Sequence, residues 1–248
     1  MLIDSHCHIH EADYPLDIAV TLGRAHDQGV DRMICVGTSQ DSSRLAVAFA
    51  ANHAEAYASV GVHPHDTKDG YLGVESLVQL PKVVAVGEIG LDYFYDHSPR
   101  PVQIQALEWQ IDLALSQNLP IIFHVREAFD DFWPIFDNFT GIKGVMHSYT
   151  DNQTNLDLAL GYGLFVGVNG ISTFAHGPDQ QEVFKSIPLS KLLLETDAPF
   201  LTPTPFRGRV NEPAFVRNIA EHQATIRGIS IEQVATATTT NAKALFAL

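Results

Sequence analysis

Basic side chains are scarce in this chain: 15 Lys and Arg stand against 29 Asp and Glu, a formal charge of −14. A field of that sign repels polyanions at long range, which excludes a protein that coats nucleic acid through Lys and Arg. A polyanion gripped by metal ions in one pocket stays compatible with it. Cysteine is equally sparse. Cys7 and Cys35 are too few for a disulfide framework, and both fall in apolar segments that read as buried strands, so a reducing compartment is expected. No apolar run approaches the roughly 20 residues that cross a bilayer, and a start that reaches Asp4 at once has no basic region followed by an apolar one. These absences lead to the expectation of a soluble, cytoplasmic protein with no membrane partner. A glycine-rich turn after the first apolar segment is also missing. "HCHIH" stands in its place, which argues against a doubly wound nucleotide-binding sheet.

What is present is a rhythm. Short apolar runs ("MLIDSH", "RMICVGT", "AYASVGVHP", "VVAVGEIG", "PIIFHV", "GVMHS", "GLFVGVNG", "LLLETD") alternate with longer amphipathic stretches such as "LDIAVTLGRAHDQG" and "PVQIQALEWQIDLALSQNLP". Nearly all-apolar strands separated by helices imply a parallel sheet covered on its outer face, and eight such units imply a single-domain (β/α)8 TIM barrel over residues 1–248. No repeat, linker or low-complexity tract interrupts it, and a barrel of this kind is expected to be a monomer. The closing "SIEQVATATTTNAKALFAL" reads as a helix with Ser230 at its N-cap and Gln233 three residues on.

Histidine is placed with the rhythm. Alternate residues of a strand share a face, so His6 and His8 project together while Cys7 projects away. His10, beyond the strand, is expected at the surface. Glu88, His124, His147 and Asp197 each end an apolar run, at the carboxyl end where barrel active sites are assembled. Each has a structural alternative: a core histidine with satisfied hydrogen bonds, or one half of a buried ion pair with Arg126. Five strands with the same pattern make metal the joint explanation. Four His, one Glu and one Asp are enough for two divalent ions, and imidazole with carboxylate suits Zn²⁺, Mn²⁺, Fe²⁺ or Mg²⁺ to different degrees.

The segments "DSHCHIH", "GVHPHD", "GEIGLDYFYD", "IIFHVREA", "MHSYT", "LLLETDAPFLTP" and "RGRVNEP" resemble, in order and spacing, the signatures of the TatD-type metal-dependent hydrolases of the amidohydrolase superfamily. The resemblance runs from residue 3 to the closing "NAKALF"; its most specific pieces are "GEIGLDY" and "ETDAP". It implies a (β/α)8 barrel and metal-dependent cleavage of phosphodiesters, with DNA ends as the substrate and two divalent ions (Zn, Mg or Mn) as cofactors. Carried over, it implies that His6, His8, Glu88 and Asp197 hold one metal, that His124 and His147 join Glu88 on the second, and that Glu88 bridges them. It places His63 and Arg126 near the substrate phosphate. The chain departs from the pattern at Val210 and Phe206, where basic or His side chains are usual, and each departure removes a possible phosphate contact.

A cation pair on such residues would share a water and bring its pKa toward neutrality, with Asp197 orienting that water and accepting its proton and Arg126 or His63 stabilising charge on the phosphoryl oxygens. Asp4, two residues before His6, is a candidate to hold an imidazole tautomer or, alternatively, a polar residue of the barrel floor. Glu195 reads as a structural carboxylate. Tyr93, Phe94 and Tyr95 offer either a surface that stacks on a nucleobase or a cover for the barrel rim, and Tyr149, two residues after His147, is equally open. Trp109 and Trp133 fall in helical patterns and are expected in the core. Two other functions compete: hydrolysis of an ester or amide such as that of an aminoacyl-tRNA, because an activated hydroxide attacks carbonyl and phosphorus alike, and a non-catalytic metal-binding scaffold.

Overall fold

In the computed structural model the described residues are 1–95, 97–175 and 177–248, so that Asp96, the last residue of "GEIGLDYFYD", lies outside them. Among them, the strands are β1 (Leu2–Cys7), β2 (Val30–Val36), β3 (Ala56–Val60), β4 (Val83–Asp92), β5 (Ile121–Arg126), β6 (Gly144–Met146), β7 (Phe165–Val168) and β8 (Leu192–Leu194), in one sheet and in that spatial order. The helices are α1 (Ile18–Asp27), α2 (Gln40–Asn52), α3 (Arg100–Ser116), α4 (Phe129–Phe136), α5 (Gln153–Gly161), α6 (Pro178–Ser186), α7 (Val216–Arg227) and α8 (Ile231–Phe246). Sequential parallel strands with helical crossovers make this a (β/α)8 barrel, as expected.

Local chemistry sets the helix ends. The Asp17 carboxylate accepts the Val20 N–H at the start of α1, and Ser230 and Gln233 form a reciprocal capping box on α8. Pro101 sits in the first turn of α3, where no N–H is needed, and Asn118 leaves that helix with φ +51°.

Contacts divide the chain into two compact units, Met1–Ile34 with Ser148–Leu248, and Cys35–His147. In the first, β1 and β8 close on each other: Cys7 and Ala198 form a parallel bridge, the Asp197 N–H donates to the His6 carbonyl at 2.9 Å, and the His8 N–H donates to the Ala198 carbonyl at 2.7 Å. Its core includes Leu192, Leu193, Leu194, Ile219 and Val234. In the second, Phe123 of β5 packs its ring on Phe132 and Phe136 of α4 at centroid distances of 5.2 and 5.9 Å. Full burial of each such ring stabilises by about 1.5–3 kcal/mol. Trp133 is buried as expected, whereas Trp109 is only partly covered, against Tyr71.

Several strands are shorter than their apolar runs. β6 and β8 stop at Met146 and Leu194, so His147 and Asp197 lie past the strands themselves, each still tied to the neighbouring strand by its N–H, to the Phe123 and His6 carbonyls, both at 2.9 Å. The opposite correction applies to Glu88. It does not end its strand: β4 continues to Asp92, and the register with β5 shifts between Val86 and Ile89, across Glu88. Such a shift re-aims a side chain inside a sheet. Gly90 allows β4 and β5 to approach there, since a Cβ on it would stand 1.7 Å from the His124 carbonyl oxygen.

Candidate metal centre

Two clusters of donor atoms lie in the carboxyl-terminal halves of the strands and just beyond them, one in each unit. In the first unit, the Nε2 atoms of His6 and His8 are 3.0 Å apart, and Asp197 Oδ1 stands 3.5 Å from the former and 3.2 Å from the latter. The β1–β8 backbone bonds bring these residues together, and Asp197 completes the set by adopting φ +59°, a left-handed conformation that Asp tolerates better than most residues. First-row divalent ions hold nitrogen and carboxylate oxygen at about 2.0–2.2 Å, which puts neighbouring donors about 3.0–3.5 Å apart. The three donors fit such an ion.

Beneath that cluster Asp4 is fully buried. Its carboxylate accepts the Thr196 N–H at 2.8 Å, the Thr196 hydroxyl at 2.6 Å and the His6 backbone N–H at 3.3 Å. It therefore anchors the backbone on both sides of the cluster, and these bonds do not reach an imidazole as the tautomer role required. Burial raises the Asp4 carboxyl well above the usual carboxylate range, against the lowering effect of the Thr196 bonds. The "NEP" segment is also a brace: the Asn211 amide donates to the carbonyls of Thr196 and Phe200, and Arg24 clamps the Glu212 carboxylate. Phe206, at one of the departures from the pattern, stacks on Phe215 with centroids 4.4 Å apart. Glu195 is buried and accepts the Ser148 N–H at 2.6 Å, as a structural carboxylate should.

The second cluster gathers on Glu88 Oε1. His124 Nδ1 is 2.8 Å from it, His63 Nε2 3.6 Å and His147 Nε2 3.7 Å. Donor atoms of His63, Glu88 and His124 all lie within 4.8 Å of one another. Burial, then the neighbouring His124, pushes His63 well below the ordinary histidine range, so its ring is neutral, the form that ligates metal. Glu88 is buried, and its N–H donates to the Gly37 carbonyl at 2.9 Å.

The second cluster extends to two residues that sequence reasoning passed over. Asp92 Oδ2 accepts from His124 Nε2 at 2.9 Å and from His65 Nε2 at 3.0 Å, while Oδ1 accepts the N–H groups of Phe94 and Tyr95, both at 3.0 Å. Burial opposes ionisation of Asp92, but these bonds from His124, His65 and Tyr95 outweigh it and hold the carboxyl far below its usual range. For His124, burial disfavours the charged ring and the bonds to Asp92 and Glu88 overcome that, raising its pKa. The missed signals were present: Asp92 follows Glu88 by four residues on one strand, and His65 follows His63 by two.

Other expected residues sit elsewhere. The Arg126 guanidinium lies over the rings of Phe94 and Tyr95, 3.9 and 4.9 Å from their centroids. His10 is not at the surface: it is 7% exposed, with Nε2 3.3 Å from Glu11 Oε1, because the chain after β1 folds inward. Tyr149 is buried and donates to the Asn152 carbonyl at 2.6 Å, a structural bond.

Residues 3–247 match the TatD related DNase family. The chain belongs to that family. A TatD homologue from Escherichia coli K12 superposes with a TM-score of 0.92 at 29% identity, covering 100% of this chain and 98% of its own. An uncharacterized metal-dependent hydrolase of Bacillus subtilis is 36% identical over 252 residues, 99% of each chain. A TatD protein of Erwinia amylovora described as a 3'-5' ssDNA/RNA exonuclease is 35% identical over 237 residues, 91% of this chain and 92% of its own. This TatD-family chain is a metal-dependent hydrolase, and no helix among its described residues is long and apolar enough to cross a membrane.

Proposed function

We propose that this TatD-family hydrolase cleaves phosphodiester bonds at the ends of single-stranded nucleic acid, using two divalent ions and acting as one 248-residue catalytic domain. The observation that carries the hydrolytic part is the convergence of His6 Nε2, His8 Nε2 and Asp197 Oδ1 at 3.0–3.5 Å. The nuclease part is supported by relatives named as single-strand exonucleases.

His6, His8 and Asp197 would hold one ion; Glu88, His124 and His147 would hold the other. A divalent ion supplies water activation near neutral pH and charge neutralisation on a phosphoryl group. The remaining work belongs to the side chains. Asp197 accepts the proton of the attacking water at its carboxylate. As the new P–O bond forms and the bond to the leaving sugar oxygen breaks, that proton passes to the leaving oxygen. His63, held neutral by burial and 3.6 Å from Glu88, would donate a hydrogen bond to a phosphoryl oxygen. Asp92 takes the Nε2–H of His124, which leaves Nδ1, the nitrogen 2.8 Å from Glu88, as the ligating atom.

The test is a substrate panel. End-labelled single-stranded DNA and RNA, an aminoacyl-tRNA and a carboxylic ester are incubated with protein loaded with Mg²⁺, Mn²⁺ or Zn²⁺. Stepwise shortening of the oligonucleotide from one end is the expected result. Turnover of the ester or aminoacyl-tRNA alone would assign the site to carbonyl chemistry, and bound metal with no turnover of any substrate would leave a scaffold.

A further inference from the structure

The site described above accounts for imidazoles and carboxylates but leaves an exposed group of aromatic rings unused. Phe94 and Tyr95 follow the end of β4 by two and three residues and are 49% and 41% exposed, although burial of an aromatic ring is favourable. Their position is nonetheless tightly fixed. Asp92 Oδ1 holds the N–H groups of both, and the Gln103 side chain brackets the Asp92 backbone, accepting its N–H at 2.9 Å and donating to its carbonyl at 3.1 Å. The rings meet edge to face at 4.7 Å, and Tyr95 stacks on His97 at 5.5 Å with planes 16° apart.

Charge converges on the same spot. In a chain of net charge −14, Arg126 lies over Phe94 and Tyr95, and Arg100 lies 4.0 Å over the ring of Tyr93. With Arg126 over the ring, Phe94 still has 49% of its surface exposed, which leaves room for a second planar partner. Asp92 ties the backbone of this loop to His124, which sets the rings beside a residue of the second cluster. Rigid exposed rings beside arginines form the combination that binds single-stranded nucleic acid: bases stack on the rings, and cations meet the backbone.

We infer that Phe94, backed by Arg126 and flanked by Tyr95, is a stacking platform for one unpaired nucleobase of the strand being cut. The inference rests on the nuclease reading above and adds to it a base-binding subsite that ignores base identity, since every base has a π-face. A duplex end would have to unpair a base to use it, so single strands are favoured.

The experiment compares, for metal-loaded protein, kcat/KM on short single-stranded oligonucleotides that carry an abasic residue at each of the four terminal positions in turn. For the wild type, one position shows a loss of roughly fivefold to a hundredfold, the range of one base–aromatic stack. In Phe94→Ala the same abasic substitution has no further effect, and Phe94→Trp keeps the discrimination. Each ratio is taken within one protein, so a general loss of activity cancels. Discrimination by Phe94→Ala equal to that of the wild type overturns the platform while the nuclease reading stands. Absence of oligonucleotide cleavage by the wild type overturns the nuclease reading, and the platform with it.

Discussion

Asp92 and His124 meet through a 2.9 Å hydrogen bond between Oδ2 and Nε2, on the side of the imidazole ring opposite Glu88. A ring nitrogen ligates metal only when unprotonated, so the partner of one nitrogen decides which tautomer the other presents. Asp92→Asn offers the ring an amide in place of that acceptor. Metal affinity should fall about 10–100-fold, the usual effect of removing such a partner. Titration with Mn²⁺ or Zn²⁺ measures the loss, and the ¹⁵N shifts of His124 report the tautomer. An unchanged tautomer with unchanged affinity would show that Asp92 only braces the loop.

Asp197 combines ligation with proton transfer in the proposed chemistry. Asp197→Asn keeps one coordinating oxygen and removes the base. The expected outcome is a folded protein with most of its metal and a kcat lower by orders of magnitude. Circular dichroism, metal analysis and turnover on one preparation check it; wild-type turnover would exclude the role.

Asp4 carries a dependence of stability on pH. Its carboxyl is raised in the folded, metal-free protein chiefly by burial, while the unfolded chain titrates near pH ~3.9. The folded state therefore holds this proton more tightly than the unfolded state does. That contribution is complete below the unfolded pKa and is lost as pH rises through the folded one. Asp4→Asn does not titrate. In urea unfolding with chelator present, the stability of the wild type relative to Asp4→Asn should fall as pH rises from 4, by up to about 1.4 kcal/mol per pH unit, and then level off. A difference that stays constant from pH 4 to 8 would refute the linkage.

Much of this protein is legible in its sequence. Eight apolar runs with helical spacers specify a parallel barrel because strand and helix periodicities are local properties of the chain. The ligand types at the ends of those runs specify metal chemistry, since few other arrangements tolerate so many buried imidazoles and carboxylates. Even the α8 capping box is legible, as it joins residues only three apart.

The tertiary structure decided what depends on a second strand. Asp4 is close to His6 in sequence, but its carboxylate closes on Thr196, 192 residues away. Glu88 has the character of a strand end and lies within β4, because the register with β5 shifts across it. His10 is polar and follows its strand, yet the path of the chain buries it. Asp92 and His65 carry no mark that separates them from other polar residues until folding sets both against His124 and its neighbours. Residue chemistry and periodicity belong to the sequence; which nitrogen faces which oxygen is set by ladder register and by where each strand stops, and these follow from packing between segments far apart along the chain.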